Sequence, residues 1–77
     1  MIEINKFLII FSNTHNVFLA EELLLEKEYK CEIVSTPDDE EDCCGLSIKI
    51  KIDKEDKLKK LLKRELIEYY KIILTDT

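Results

Sequence analysis

Residues 46–52 read LSIKIKI and carry the clearest secondary-structure pattern in this chain. Its apolar residues at positions 46, 48, 50 and 52 alternate strictly with Ser47, Lys49 and Lys51. Because successive side chains of a strand point to opposite faces of a sheet, the pattern predicts a strand with one face in a core and one in water. The chain must therefore supply a layer that covers one face of a sheet.

The residues upstream predict a strand followed by a helix. The apolar run FLIIF at residues 7–11 is unbroken and rich in β-forming residues, which is typical of a central strand. After it, apolar residues recur every three or four positions, at Val17, Ala20, Leu24 and Leu25. This period predicts a helix from Thr14 to about Tyr29, capped by Asn13 or Thr14.

The remaining elements are predicted in the same way. A short second strand covers residues 31–35 and ends before Pro37, and a last strand covers residues 69–75. Between 52 and 69, Asp53 is the predicted N-cap of a second helix. The buried stripe of that helix is expected to contain Leu58, Leu61, Leu62 and Leu66.

The order of these elements is β-α-β-β-α-β. It predicts an α+β, ferredoxin-like fold, in which two helices cover one face of a four-stranded antiparallel sheet. Right-handed crossovers place the first and third strands at the centre and the second and fourth at the edges. We expect residues 1–77 to form a single domain of this kind.

The charge of the chain is concentrated in one loop. Twelve Lys and Arg residues against seventeen Asp and Glu residues give a net charge of −5, and five of the acids form the run at 38–42. With 45% hydrophobic residues the chain has enough apolar material for a core, which excludes a disordered acidic tail. The acidic loop is therefore a local feature of a folded protein.

Composition also bears on location and partners. No stretch approaches the ~20 apolar residues of a membrane span, and the N-terminus does not resemble a signal peptide, so we expect a cytoplasmic protein without a membrane partner. The basic face of the second helix is interpreted as a solvated surface. The middle strands lack the aromatic pairs of RNA-binding sheets, so no nucleic-acid partner is expected.

The cysteines are the candidate reactive groups. The chain has three cysteines, Cys31, Cys43 and Cys44. Because their number is odd and they lack the spacing of a disulfide framework, we expect them to be free thiols. Cys44 is the best placed for chemistry, because Gly45 permits an unusual backbone dihedral at the end of the loop. The alternative is a pair of inert loop thiols, and the neighbouring acids favour it because they are expected to raise the pKa of a thiol.

Three further residues could contribute to a site. Thr14 and His15 lie at the start of the first helix, where free amides can hold an anion, although a surface histidine there needs no function. Glu21 lies on or beside the apolar stripe of that helix, where a carboxylate needs a partner such as Lys or Arg. We expect no metal site and no cofactor, since the acidic run lacks the ligand spacing for a hard cation and the adjacent thiols are too few for zinc.

Several short motifs resemble a known family. They are Phe11-Ser12, Thr14-His15, Ala20-Glu21, Leu23-Leu24, Pro37 and Cys44-Gly45-Leu46. Together they are similar to the selenium/sulfur carrier-like family of small domains, whose loop reads Pro-Arg-Xaa-aliphatic-Ser-Ser-Xaa-Cys-Gly. Here the proline and the Cys-Gly step are kept, while Asp38 takes the place of the arginine, Glu40 of the aliphatic residue, and Glu41 and Asp42 of the serines.

The resemblance implies a small carrier of sulfur or selenium. Cys44 would be the thiol that bears the chalcogen atom, Cys43 a resolving thiol, and the partners would be donor and acceptor proteins. On this interpretation the chain is not an independent enzyme. The competing hypothesis is a non-catalytic interaction or regulatory domain, since the edge strands of a small sheet can pair with a partner or form a homodimer.

Overall fold

The computed structural model describes residues 5–36 and 45–75. Within these residues the elements follow in the order β1 (Asn5–Ile10), α1 (Thr14–Glu26), β2 (Cys31–Ser35), β3 (Leu46–Ile52), α2 (Glu55–Arg64) and β4 (Lys71–Thr75). Neither of the two helices in this part of the chain has the length and apolar character needed to cross a membrane.

The described strands form one antiparallel sheet in the order β2-β3-β1-β4. The predicted ferredoxin-like α+β fold is therefore confirmed, with the first and third strands at the centre. In the register of the sheet, Ile9 lies opposite Ile48 on β3 and Ile72 on β4. Residues directly opposite one another share a face, so this row defines the face that carries the core.

Both helices cover that same face. The sheet contributes Phe7 and Ile9 from β1, Phe11 beyond its end, and Ile48, Ile50 and Ile52 from β3. They form one apolar cluster with Val17, Ala20, Leu23 and Leu24 of α1 and Leu58 and Leu62 of α2. The alternation at residues 46–52 thus does what the sequence predicts, because its isoleucines all enter this core.

The opposite face differs from the sequence-based expectation at Ser47. Lys49 and Lys51 are exposed there as predicted, whereas Ser47 is fully buried. Its hydroxyl oxygen lies 2.7 Å from that of Thr36, so the two side chains are hydrogen-bonded. The bond explains how a hydroxyl is tolerated without water at this position.

Helix α1 ends three residues before its predicted end at Tyr29. Glu28 adopts a left-handed conformation with φ 65°, and the amide of Tyr29 donates to the carbonyl of Leu24. These are the features of a Schellman motif, which satisfies the last carbonyls of a helix and turns the chain away. At its start, the predicted cap is confirmed for Asn13, whose side chain accepts a hydrogen bond from the amide of His15.

The prediction that Asp53 caps α2 was wrong. Lys54 occupies the N-cap position without a side-chain hydrogen bond, and Asp53 instead lies 3.9 Å from Lys57 in an ion pair. The first turn still carries Glu55 and Asp56, whose charges favour the positive end of the helix dipole. Charge thus replaces a capping hydrogen bond at this helix start.

Two leucines predicted in the buried stripes are exposed. Leu66 is 87% exposed because α2 ends at Arg64 and Leu66 takes a left-handed conformation with φ 57°. Ile67 packs into the core in its place, and its amide donates to the carbonyl of Leu62. In α1, Leu25 is 55% exposed, and the buried line includes Leu23 instead.

The last strand begins two residues later than predicted. Lys71 is opposite Ile10, the final residue of β1, so β1 offers no strand partner beyond that point. The amide of Tyr70 still reaches the carbonyl of Ile10 at 2.7 Å. The end of β1 therefore sets where β4 begins.

The conformation of Leu66 yields a stability prediction. A left-handed backbone costs a residue with a Cβ roughly 1–2 kcal/mol, and the exposed leucine side chain offsets little of that cost. Leu66→Gly is expected to raise the free energy of unfolding by about 1 kcal/mol, measured by urea denaturation. Lys60→Gly, an exposed position inside α2, is the control and should lower it by about 1 kcal/mol. A loss of stability in Leu66→Gly would contradict the assignment.

The position of Ile9 yields a second prediction. Its side chain is fully buried between both neighbouring strands and under the helices, so Ile9→Ala should cost about 2–5 kcal/mol. Because small domains have a narrow stability margin, thermal denaturation should show a large loss or complete unfolding. Leu74→Ala on β4 is the control, since Leu74 is 52% exposed and should change stability little.

Candidate functional site

One end of the sheet gathers most of the residues that the sequence singles out. Ile10 at the end of β1 lies opposite Ser47 at the start of β3, and α1 begins four residues after Ile10 at Thr14. On the neighbouring strand, the amide of Thr36 donates to the carbonyl of Gly45 at 3.0 Å. The start of α1 and the Gly45 backbone therefore lie at the same end of the fold, which we call the Gly45 end.

Gly45 has a positive φ of 87°, as the sequence predicts for the residue after Cys44. A Cβ placed on it would meet no atom of the described residues within 4 Å beyond its chain neighbours. The position thus favours glycine for its backbone conformation, since L-residues rarely adopt this φ. Any other residue would strain the backbone next to the candidate thiol.

The hydroxyls of Thr36 and Ser47 were missed by the sequence analysis. They are hydrogen-bonded across β2 and β3, just inside the Thr36–Gly45 backbone bond. Two cross-strand bonds therefore hold together the points where the chain leaves β2 and enters β3. The signal in the sequence was weak: Ser47 lies in the polar phase of its strand, and Thr36 immediately precedes Pro37.

The start of α1 is already well supplied with hydrogen bonds. The amide of His15 donates to the Asn13 side chain at 2.7 Å, and the amide of Asn16 donates to the Asn13 carbonyl at 3.2 Å. Thr14 and His15 are both exposed. Asn13 thus accepts hydrogen bonds from amides that an anion would use. The groups that this helix start still exposes to a ligand are the hydroxyl of Thr14 and the imidazole of His15.

Glu21 and Cys31 form a separate group away from the Gly45 end. Cys31 is a free, half-buried cysteine that packs against the core. It is the first residue of β2, whereas Ser35 at the other end of the strand lies towards the Gly45 end. Burial raises the pKa of the Cys31 thiol, and the negative charge of Glu21 raises that pKa further. Glu21 is half-buried. Within residues 5–36 and 45–75, Lys57 pairs with Asp53 and Lys59 pairs with Glu55. The expected pairing of Glu21 with Lys or Arg is not found among these residues.

A groove of about 230 Å³ is lined by Cys31 and Ile50 together with the charged residues Lys30, Glu32, Lys49 and Lys51. Lys49 and Lys51 belong to the face of the sheet away from the helices, whereas Cys31 lies opposite Ile50 on the helix-covered face. These lysines therefore do not offset the effect of burial, which raises the pKa of the Cys31 thiol. Cys31 has the surroundings of a structural cysteine, because a raised pKa lowers its thiolate fraction.

The remaining predicted site residues, Pro37, Cys43 and Cys44, lie outside the described residues. Of those described, Thr14, His15 and Gly45 share one end of the fold and Glu21 does not join them. The described part of the chain contains no group of three or more His, Cys, Asp or Glu side chains that could hold a metal ion.

The surroundings of Cys31 predict its reactivity. In a Cys43→Ala/Cys44→Ala background, iodoacetamide should alkylate Cys31 slowly at neutral pH, and the rate should increase with pH through a midpoint above that of a small-molecule thiol. Glu21→Gln removes the smaller of the two causes and should accelerate alkylation modestly. Glu22→Gln, at an exposed neighbouring position, is the matched control and should leave the rate unchanged. Rapid alkylation at neutral pH would contradict the structural role.

Comparison with known proteins places the chain in a family. The model of the family described as "Putative Se/S carrier protein-like" matches residues 6–74, which run from β1 to β4. Searches of curated proteins and of solved structures returned no match. Because the family match covers nearly the whole chain and includes the Cys44-Gly45 step, the chain belongs to the Se/S carrier protein-like family.

Proposed function

We propose that this protein carries sulfur or selenium on Cys44 between a donor and an acceptor protein. The observation that carries the proposal is the family match over residues 6–74, which includes the cysteine directly before Gly45. The positive φ of Gly45 supports it, because this backbone requirement ties a glycine to the position after the thiol. The cross-strand bonds of Thr36 further support it by holding the two ends of the loop together.

The proposed chemistry is a thiol–persulfide exchange. The Cys44 thiol loses its proton, and the thiolate attacks the outer sulfur of a donor persulfide. A new S–S bond forms at Cys44, the donor S–S bond breaks, and its electron pair leaves on the donor thiolate. An acceptor nucleophile then takes the outer sulfur in the same manner and regenerates the Cys44 thiolate; selenium would transfer by the same exchange.

Cys43 is the candidate resolving thiol. Its thiolate would attack the inner sulfur of the Cys44 persulfide, form a Cys43–Cys44 disulfide and release hydrosulfide. No outside oxidant is needed, because the outgoing sulfur takes the electron pair. This side reaction would discard the cargo when no acceptor is bound.

The acidic run at 38–42 bears on the choice of partners. Five acids before the thiols disfavour a free thiolate, and they also attract cationic surfaces. A donor or acceptor with a basic surface around its reactive group would offset the acids on docking and lower the cost of ionising Cys44. We therefore propose basic docking surfaces on both partners and, because exchange needs free thiols, a reducing cytoplasmic location.

The second candidate function is a non-catalytic interaction domain. Large apolar side chains on the outer face of α1 favour it, since Phe18 is 53% and Leu25 is 55% exposed. Such a domain would use the same fold without loading Cys44. The two candidates therefore differ in a single measurable property, which is whether the thiol accepts sulfur.

Loading by a persulfide donor tests the carrier function. The protein is incubated with a cysteine desulfurase and cysteine, and intact mass is measured for the wild type and for Cys31→Ala, Cys43→Ala and Cys44→Ala. We expect the wild type to gain one sulfur atom that a reductant removes. Cys44→Ala should abolish the gain, Cys31→Ala should leave it unchanged, and Cys43→Ala should preserve or prolong it.

The same series contains the outcomes that contradict the proposal. A wild type that gains no sulfur while the desulfurase turns over would leave the interaction domain as the function. If Cys44→Ala still gains sulfur and Cys31→Ala does not, the sulfur is carried by Cys31, which contradicts the proposal. Replacing Gly45 by Ala is a further variant, and it should slow loading through backbone strain without removing the thiol.

A further inference from the structure

Helix α1 carries three large apolar side chains on the side that faces away from the sheet. The exposed fractions are 53% for Phe18, 38% for Leu19 and 55% for Leu25. The buried residues of the helix lie on its opposite side. Phe18 and Leu25 are seven residues apart, so they lie along one line of the helix surface. Large apolar side chains outside the core-facing stripe of a helix are typical of a surface that a partner covers, and among the described residues α1 packs on β2 and β3 through its other side.

Unpaired acids flank these apolar residues. Glu22 and Glu26 lie on the outer face of α1, and with Glu65 they line a groove of about 200 Å³ that also contains Leu19, Leu23 and Ile67. Among the described residues, none of these three glutamates forms an ion pair. We call the exposed side chains Phe18, Leu19, Glu22, Leu25 and Glu26 the acidic-apolar face.

Helix α2 presents the complementary surface. Lys60, Lys63 and Arg64 are exposed on the side opposite to Leu58 and Leu62, and no ion pair within the described part of the chain involves them. Their long alkyl chains can cover apolar side chains while the charged ends stay in water. The helix layer of one protomer thus carries an acidic-apolar face and a basic face side by side, and neither neutralises the other.

We propose that the helix layer is a dimer interface, in which α1 of each copy packs on α2 of the other. β1 and β3 are antiparallel, and each helix returns the chain along the strand that precedes it, so α1 and α2 run in opposite directions. A two-fold axis parallel to the helices then places α1 opposite α2 of the second copy, antiparallel to it. Every contact occurs twice, as in a closed, isologous dimer.

This arrangement accounts for both surfaces at once. Lysine alkyl chains of the second copy would cover Phe18 and Leu25, and Glu22 and Glu26 would pair with Lys60 and Lys63. Packing of α1 on α1 would bring acids against acids, and packing of α2 on α2 would bring cations together, so charge favours only the mixed pairing. The interface leaves both the sheet edges and the open face of the sheet uncovered.

Charge-reversal variants test the proposal by sedimentation velocity over a concentration series. The first variant is Glu22→Lys/Glu26→Lys, and the second is Lys60→Glu/Lys63→Glu. Each should raise the dimer dissociation constant by about tenfold or more, because four symmetry-related contacts become repulsive. An equimolar mixture of the two variants should dimerise again, since the first then offers two basic helices and the second two acidic ones.

Combining all four substitutions in one chain should also restore the dimer. Lys49→Glu/Lys51→Glu reverses two charges on the open face of the sheet and is the matched control, which should dimerise like the wild type. All four positions are exposed in the protomer, so circular dichroism should report an intact fold for every variant.

Three results would overturn the proposal. If the wild type stays monomeric at every concentration, the acidic-apolar face does not bind a second copy, and its partner would be a different protein. A dimer that neither helix variant weakens would place the interface elsewhere, such as a sheet edge. Variants that are weakened singly but do not associate when mixed would exclude the α1–α2 pairing. None of these measurements depends on Cys44, so the test is independent of the carrier function.

Discussion

Strand β1 lies between β3 and β4, and this central pairing sets the layout of the sheet and of the helices that cover it. Ile9 lies opposite Ile48 on one side and Ile72 on the other, and it is fully buried. Such a row of β-branched side chains must be covered, which requires both helices on the same face of the sheet. The helix layer, the edge positions of β2 and β4, and the clustering of loops at the two ends of the sheet all follow from this central pairing.

The chain builds these connections with a single glycine. Both helices end in Schellman motifs whose left-handed position is filled by Glu28 or Leu66, although glycine would be favoured there. The glycine is used instead at position 45, directly after Cys44. The left-handed backbone is thus filled by residues with a side chain at two helix ends and by glycine at position 45 of this member of the Se/S carrier protein-like family.

Cys31 has the surroundings of a structural cysteine. Cys31 packs against the core with Glu21 nearby, and both burial and charge raise its pKa. Gly45, the residue after Cys44 in the sequence, lies at the end of the sheet where its carbonyl accepts from Thr36 and where α1 begins. Charge is similarly divided, since acids lie on the outer side of α1 and cations on that of α2, and this division gives the helix layer a surface that a second copy can match.

The order of the elements, the two central strands and the family could be predicted from the sequence, as could a glycine that permits an unusual dihedral at position 45, because periodicity and short motifs are local properties. The tertiary structure decided which leucines are buried: Ile67 replaces Leu66 only because the chain turns back after α2. It also decided that Ser47 is buried against Thr36 and that Glu21 approaches Cys31. The burial of Ser47 and the approach of Glu21 to Cys31 depend on contacts between elements distant in sequence, whereas the turn at Leu66 depends on where α2 ends, which the apolar pattern alone does not specify.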